Sequence, residues 1–462
     1  MITSPAFAGK TYGVFGLARS GLATEAALTA SGATVWSWDD IDQARWGKAR
    51  PEQVSQSRFI DDGIGLEIQQ PGDPVIQFAP DGNGGLRRLV DFAATPPEQL
   101  AGLDAIIVSP GVPHSAPIFA RAAAAGVAVI GDIELFARAR ASLPLHRVVG
   151  ITGTNGKSTV TALIHHVLTC AGRPATQGGN IGLPILAQDP LPETGVYVLE
   201  LSSFQLELTH SLACDIAILL NITPDHLDRH GSLAAYAAAK ARLFTMLAPG
   251  AQAIVGALAE ADFGVLDGAG DKVVTFIEAV DAGDQSAWPG LQGPHNLQNA
   301  RAAVAACTAL GLTEAEIADG LASYRALPHR MERIGTWGGV LFVNDSKATN
   351  PESAAPALAA FPRTHWIAGG RAKVADLDAV LPYLGNVVAV YLIGEAAPLL
   401  APILAPHVPV VMAGTLAHAV AAAAAAARPG DTVLLSPACA SYDQFRDFEA
   451  RGDAFRASVA AL

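Results

Sequence analysis

The segment 147–168 constrains the fold more than any other part of the chain. Val148-Val149-Gly150-Ile151-Thr152 reads as a buried β-branched strand, and Gly153-Thr154-Asn155-Gly156 reads as a turn. Lys157-Ser158-Thr159 then opens an apolar helix over 160–168. Strand, glycine turn and helix in this order make a cradle for phosphate. The glycines let backbone N–H groups face an anion, and the helix N-terminus adds its dipole. Lys157 is placed to neutralise outer phosphates, and the Ser158 hydroxyl suits a divalent cation. The strict pattern G-x-x-x-x-G-K-[ST] is not met, because Ile151 holds its first glycine position.

The same alternation of short β-branched strands with Ala- and Leu-rich helices runs along all 462 residues, the mark of parallel α/β sheets. Strands are expected at 11–15, 104–109, 196–199, 216–222, 340–344, 365–368, 387–393, 408–412 and 432–435. Residues 45–100 are irregular and rich in Pro, Gly and Asp, and read as an insertion of short strands or loops. Ser142-Leu143-Pro144 and Pro328-His329-Arg330 read as linkers. The length calls for several domains. A formal net charge of -13 argues against a chain held on nucleic acid by phosphate contacts, while leaving room for a local basic pocket for a phosphorylated small molecule. Four cysteines without a CxxC pair indicate neither disulfides nor a zinc ribbon. No signal peptide or membrane span is read, the run 417–427 being a packed helix. A cytoplasmic monomer without nucleic-acid or membrane partners is expected.

The block Gly153-Thr154-Asn155-Gly156-Lys157-Ser158-Thr159 resembles the variant phosphate loop of the Mur ligases and folylpolyglutamate synthetases. Further blocks follow in that family's order: Gly178-Gly179-Asn180-Ile181-Gly182, Glu200-Leu201-Ser202-Ser203-Phe204-Gln205 and Asn221-Ile222-Thr223-Pro224-Asp225-His226-Leu227-Asp228. Lys240 in an Ala-rich helix, His295-Asn296 with Asn299, and Pro328-His329-Arg330 complete them. Asn344-Asp345-Ser346-Lys347-Ala348-Thr349-Asn350 and Leu435-Ser436-Pro437-Ala438-Cys439-Ala440-Ser441 resemble the D-glutamate-adding branch. The resemblance implies an α/β fold of three domains. These are a Rossmann-like domain for the UDP part of the substrate (1–143), a central P-loop ATPase-like domain (144–327), and a Rossmann-like amino-acid-binding domain (328–462). It implies UDP-N-acetylmuramoyl-L-alanine, D-glutamate and ATP with Mg²⁺ as reactants, in peptidoglycan precursor synthesis.

A carboxylate is a poor electrophile, so its oxygen must become a leaving group before an amine can form an amide. Phosphoryl transfer does this, and catalysis is then mostly positioning and charge neutralisation. Glu200 ends an apolar strand at the carboxyl edge, where open α/β sheets place ligands, and with Ser158 is a candidate Mg²⁺ ligand. A lone histidine is more often structural, and imidazole is an uncommon Mg²⁺ ligand. His226 is assigned to a second Mg²⁺ on the resemblance. Lys240 by itself reads as an exposed helical lysine; the resemblance makes it a carbamylated lysine that helps position the metal.

The resemblance also assigns Asn299, Arg330 and Asp345 to the adenine, phosphate and ribose of ATP, with closure at Arg330 excluding water from the acyl phosphate. Lys347, Thr349, Lys373, Ser441 and the backbone near Phe448 are assigned to D-glutamate. Arg19, Ser20, Asp40, Ser109 and Gly111 are candidates for uracil or diphosphate. Asn180 and His226 face the muramoyl-alanine end.

Three other readings stay open on sequence. Folylpolyglutamate synthesis is disfavoured by the NDSKATN and LSPACAS blocks. A Rossmann oxidoreductase is disfavoured because Gly16-x-Ala18-x-x-Gly21 lacks the middle glycine that admits a pyrophosphate. A non-catalytic nucleotide-fold module is disfavoured by Lys157, Ser158, Glu200, His226 and Lys240 occurring together.

Overall fold

Three β-sheets follow one another along the chain in a computed structural model, which describes residues 1–38, 65–67, 76–80, 86–90, 97–372 and 376–462. The first sheet holds β1 (Thr11–Phe15), β2 (Thr34–Trp38), β3 (Gly65–Glu67), β4 (Ile76–Pro80), β5 (Leu86–Val90), β6 (Ala105–Val108) and β7 (Val129–Ile130), in the order β3-β4-β5-β2-β1-β6-β7. Its centre is parallel, and only the pairs β3/β4 and β4/β5 are antiparallel.

The second sheet holds β8 (His146–Thr152), β9 (Ala175–Gly179), β10 (Gly195–Glu200), β11 (Cys214–Leu219), β12 (Leu247–Val255) and β13 (Val273–Phe276). Its order is β13-β12-β11-β8-β10-β9, and every pair is parallel. Strands β9 and β10 lie to one side of β8 and β11 to β13 to the other. The winding therefore reverses at β8, where open parallel sheets leave a crevice. The register pairs Glu200 with Ile151 and Leu219 with Thr152, so the segments that leave β10, β8 and β11 emerge side by side.

The third sheet holds β14 (Glu332–Trp337), β15 (Val340–Asn344), β16 (Thr364–Gly369), β17 (Val387–Ile393), β18 (Val410–Gly414) and β19 (Thr432–Leu435), in the order β14-β15-β19-β16-β17-β18. Strand β14 was not expected from sequence. It pairs antiparallel with β15 at the edge, and half-exposed residues give it no continuous apolar run. The strand expected over 216–222 stops at Leu219, because the next backbone groups turn to bind the glycine loop.

The described residues form two compact units: Met1–Val280 with Ala305–Thr313, and Asp281–Val304 with Glu314–Leu462. Within the first unit, one apolar core runs without a break from Tyr12, Val14, Leu28 and Phe136 to Tyr197, Leu199, Leu219 and Leu243. The linker residue Ser142 is tied into this unit by its hydroxyl, 2.9 Å from that of Ser4. In the second unit, helices cover both faces of the third sheet. Trp366 is wholly buried there, and its indole N–H is satisfied by the Ser436 carbonyl at 2.7 Å.

Candidate functional site

The glycine loop that follows β8 is fastened to the strand beside it. Gly153 (φ +147°) and Gly156 (φ +88°) take backbone conformations that favour glycine. A Cβ on Gly153 would also press to 3.0 Å from the Leu220 side chain. Thr154 N–H donates to the Asn221 carbonyl (2.9 Å), and Asn155 N–H donates to Asn221 Oδ1 (2.9 Å). The Asn221 amide returns a bond to the Asn155 carbonyl (3.1 Å), and Thr154 Oγ1 accepts from Thr223 N–H (3.0 Å). Asn221 was not assigned a role from sequence. Its place directly after an apolar strand at the carboxyl edge was the available signal.

The helix Lys157–Cys170 starts at Gly156 and turns its N-terminus toward the loop. Lys157 Nζ folds back onto the carbonyls of Gly153 (2.9 Å) and Thr154 (2.7 Å). Ser158 is buried.

Lys240 is not the exposed helical lysine that its sequence context suggests. It is 1% exposed on the helix Leu233–Thr245, and its Nζ donates to the Gly153 carbonyl at 2.8 Å. That ammonium also lies 4.4 Å from the centre of the Tyr236 ring, whose phenol hydrogen-bonds Thr154. Burial, and then the charge of Lys157, hold the Lys240 pKa well below the usual lysine value, with Asp225 and Glu200 opposing.

Glu200, at the end of β10, is 3% exposed. Its Oε1 accepts from the Asn180 amide (3.0 Å), and its backbone carbonyl accepts from Asn180 N–H (2.8 Å). This approach needs Gly179, since a Cβ there would fall 2.2 Å from the Glu200 carbonyl. His226 stands at the start of a four-residue helix, Leu227–His230, in the left-handed region (φ +53°). Its ring meets Phe204 edge-on at 4.9 Å and lies 3.6 Å from an Asp225 carboxylate oxygen.

The turn after β1 is close-packed: a Cβ on Gly21 would sit 1.9 Å from the Gly16 carbonyl. Ser109 Oγ donates to that same carbonyl (2.7 Å). Arg19 donates to the Gly182 carbonyl (2.9 Å), and Ser20 lies in the first turn of the helix Arg19–Ala30. Asp40 falls outside the described residues, as does Lys373.

In the second unit, Asn299 is buried on the helix Pro294–Ala309, and its amide donates to Asn296 Oδ1 (3.1 Å). Burial drives His295 on the same helix down to about 4. Arg330 sits between two non-glycine residues in the left-handed region, His329 (φ +61°) and Met331 (φ +45°). The Asp345 carboxylate is engaged internally: Oδ1 accepts from Met331 N–H (3.1 Å) and Oδ2 from the Ser436 hydroxyl (2.8 Å). Burial pushes its pKa up to about 7, against the pull of those two bonds and of Arg330 and Arg451.

Lys347 Nζ lies 3.7 Å from the centre of the Phe448 ring, and the neighbouring Ser346 hydroxyl donates to the Phe448 carbonyl (2.8 Å). Ser441 is buried, with its carbonyl accepting from Phe445 N–H (2.9 Å). Thr349 is half-buried just before Asn350, which caps the helix Pro351–Ala360. The buried Arg451 ties the segment at Ser346 to the segment at Cys439. Its guanidinium donates to the Ser346 hydroxyl (3.0 Å), the Ser346 carbonyl (2.8 Å) and the Cys439 carbonyl (3.0 Å).

A glycine loop, Lys157, Ser158 and Glu200 at one parallel sheet edge define an α/β protein of the phosphate-loop class. Comparison with known proteins narrows this. Residues 151–307 match the Mur ligase middle domain, and 329–439 match the Mur ligase glutamate ligase domain. A protein of Novosphingobium aromaticivorans named UDP-N-acetylmuramoylalanine--D-glutamate ligase is 52% identical over 470 residues, covering 100% of this chain and 97% of the relative. Proteins of the same name from Sphingopyxis alaskensis and Zymomonas mobilis are 52% and 49% identical, each match covering 100% of both chains. The chain belongs to the Mur ligase family. Its fold is similar to that of a Thermotoga maritima MurC (TM-score 0.56, 16% identity, 98% of this chain and 99% of that one). It is similar too to that of the MurF ligase of Thermotoga maritima in complex with ADP (TM-score 0.56, 18% identity, 78% and 90% covered).

Proposed function

We propose that the chain is an ATP-dependent ligase that joins D-glutamate to UDP-N-acetylmuramoyl-L-alanine in peptidoglycan precursor synthesis. The observation that carries this reading is 52% identity along the whole chain to relatives bearing that enzyme's name. The convergence of Lys157, Lys240 and Glu200 on one sheet edge supports it. The three successive sheets support division into a UDP-binding part (1–143), an ATP-binding part (144–327) and an amino-acid-binding part (328–462).

In this reading the alanine carboxylate attacks the γ-phosphorus of ATP and ADP departs. The D-glutamate amine then attacks the acyl carbon, phosphate leaves, and the amine sheds a proton. The glycine loop receives the phosphates through backbone N–H groups, and Lys157 exchanges its two carbonyl partners for phosphate oxygens. The buried hydroxyl of Ser158 and the buried carboxylate of Glu200 are oxygen donors, the ligand type Mg²⁺ takes. Mg²⁺ would neutralise phosphate charge there. Among the described residues no three His, Cys, Asp or Glu side chains gather as a metal site. Ser158 and Glu200 are the residues that would hold such a cation.

His226 and a carbamylated Lys240 are assigned to a second cation. A buried lysine that sheds its proton readily is a competent amine for CO₂, and the product is an anion. Asn180 keeps Glu200 oriented and, with His226, faces the muramoyl-alanine end. Asn299, Arg330 and Asp345 serve the adenine, phosphate and ribose. Lys347, Thr349, Ser441, Phe448 and Lys373 serve D-glutamate, and Arg19, Ser20, Ser109 and Asp40 the uridine diphosphate. The enzyme acts as a cytoplasmic monomer, and among the described residues no helix is long and apolar enough to cross a membrane.

The test is phosphate release by the purified protein with UDP-N-acetylmuramoyl-L-alanine, ATP and a panel of amino acids. Release is expected with D-glutamate, and Lys157→Ala should lower it by about a hundredfold or more. Release that depends on a folate and L-glutamate, or undiminished release in the variant, overturns the reading.

A further inference from the structure

We infer that Glu207 is a positioning residue that fixes His226 and the loop after β6 in a single arrangement for the sugar-nucleotide substrate. The inference rests on the ligase reading above and goes beyond it by naming a residue that touches no reacting atom.

The helix Leu227–His230 has four residues, too few to be stable alone. His226 in front of it holds a left-handed backbone, which is strained for a non-glycine residue. Its orientation must therefore be imposed from outside. The anchors are the last two residues of that helix, Arg229 and His230, and both end on Glu207.

Glu207 closes the helix Ser203–Glu207, which starts three residues after Glu200 behind a capping box at Ser202. Its Oε1 lies 3.4 Å from His230 Nδ1, and the other ring nitrogen of His230 lies 3.0 Å from the Ser203 hydroxyl. Its Oε2 lies 3.3 Å from His114 Nε2 and 3.7 Å from Arg229 Nη2. Arg229 stacks its guanidinium 3.8 Å from the centre of the Phe204 ring, the ring that meets His226 edge-on. It also donates to the Val112 carbonyl at 3.2 Å.

One carboxylate thus joins two pieces of chain. On one side is the loop from Ser109 to His114, assigned to the uridine diphosphate. On the other is the turn that begins at His226, assigned to the muramoyl-alanine end. His230 and Arg229 are shielded by this arrangement, at 2% and 11% exposed, and Glu207 is 22% exposed, whereas His114 reaches Glu207 from the more open side at 43%. Arg229 is the permanent cation of the group, and removing the Glu207 charge would leave it shielded and uncompensated, which is costly. A substrate that bridges the two pieces needs their spacing kept, and an error of about 1 Å in such positioning costs up to a hundredfold.

The experiment measures KM for UDP-N-acetylmuramoyl-L-alanine, KM for ATP, kcat and Tm in wild type, Glu207→Gln, Arg229→Lys and the double variant. Glu207→Gln keeps the shape and removes the charge; Arg229→Lys keeps a charge and removes the stacking fork. Each single variant should raise KM for the sugar nucleotide by about tenfold with KM for ATP changed less than about twofold. The double variant should be little worse than either single one, because both act through one link. Unchanged KM for the sugar nucleotide overturns the inference. So does a parallel loss in both KM values, kcat and Tm, which is the pattern of a merely structural residue. A wild-type protein without ligase activity overturns the ligase reading and this inference with it, whereas an active wild type with unaffected variants overturns this inference alone.

Discussion

Lys157 and Lys240 donate to the same oxygen. Their ammonium nitrogens lie 2.9 Å and 2.8 Å from the Gly153 carbonyl, from a helix N-terminus on one side and a helix interior on the other. Two like charges converging on one acceptor in a buried place favour the neutral form of the more buried partner, Lys240.

The first prediction concerns that neutral amine. In ¹³C-bicarbonate, wild-type protein should show a carbamate resonance that is missing from Lys240→Ala. That variant should lose most phosphate release and regain part of it in added short carboxylic acids, which put an anion back in the gap. Full activity without added acid would remove Lys240 from the site.

The glycine loop should tolerate little change. Gly153→Ala meets both a steric wall at Leu220 and an unfavourable backbone angle, so nucleotide affinity should fall by about tenfold or more. Asn221→Ala removes one donor and one acceptor from Asn155, at a cost of about 1–2 kcal/mol in stability. Fluorescent-nucleotide titration and urea unfolding read the two effects separately. Wild-type affinity in Gly153→Ala would show that the loop relaxes freely.

Stability should depend on pH through Asp132. Burial raises this carboxyl to about 6 in the folded protein, above the usual aspartate value of about 4, in spite of bonds from Ile133 and Gln205. A raised carboxyl pKa means that the folded state holds the proton more tightly than the unfolded chain. Its stabilising effect is full below about pH 4 and is lost as pH rises through about 6, a change on the order of 3 kcal/mol. Asp132→Asn carries no such titration. Its stability relative to wild type should therefore increase between pH 4 and pH 7, as measured by urea midpoints; a constant difference contradicts the assignment.

Asp345 is expected to matter for folding as well as for nucleotide. Asp345→Ala strands the part-buried Met331 N–H and the buried Ser436 hydroxyl, costing about 2–4 kcal/mol. Asp345→Asn retains an acceptor for one of them and should cost less. Equal urea midpoints in wild type and Asp345→Ala would show that these bonds contribute nothing.

Strands β15, β17 and β19 were legible to the residue, because each is a short, mostly buried run of β-branched and apolar residues. The glycine loop was legible because it needs particular residues at fixed spacing. The burial of Lys240 was not: its neighbours are alanines, which mark neither face of a helix as the inner one. Glu207, His114 and His230 were equally silent, since they meet from three separate segments and obey no local pattern. Strand β14 escaped because an edge strand half open to water lacks the apolar run that betrays a central one.

Phe136 meets Tyr197 edge-to-face at 5.0 Å, a contact between a helix that covers the first sheet and a strand of the second. A protease cut near Pro144 would therefore not release two self-sufficient fragments. Each would carry a raw greasy surface that its lost neighbour used to cover, and the pair should stay associated until denaturant parts them.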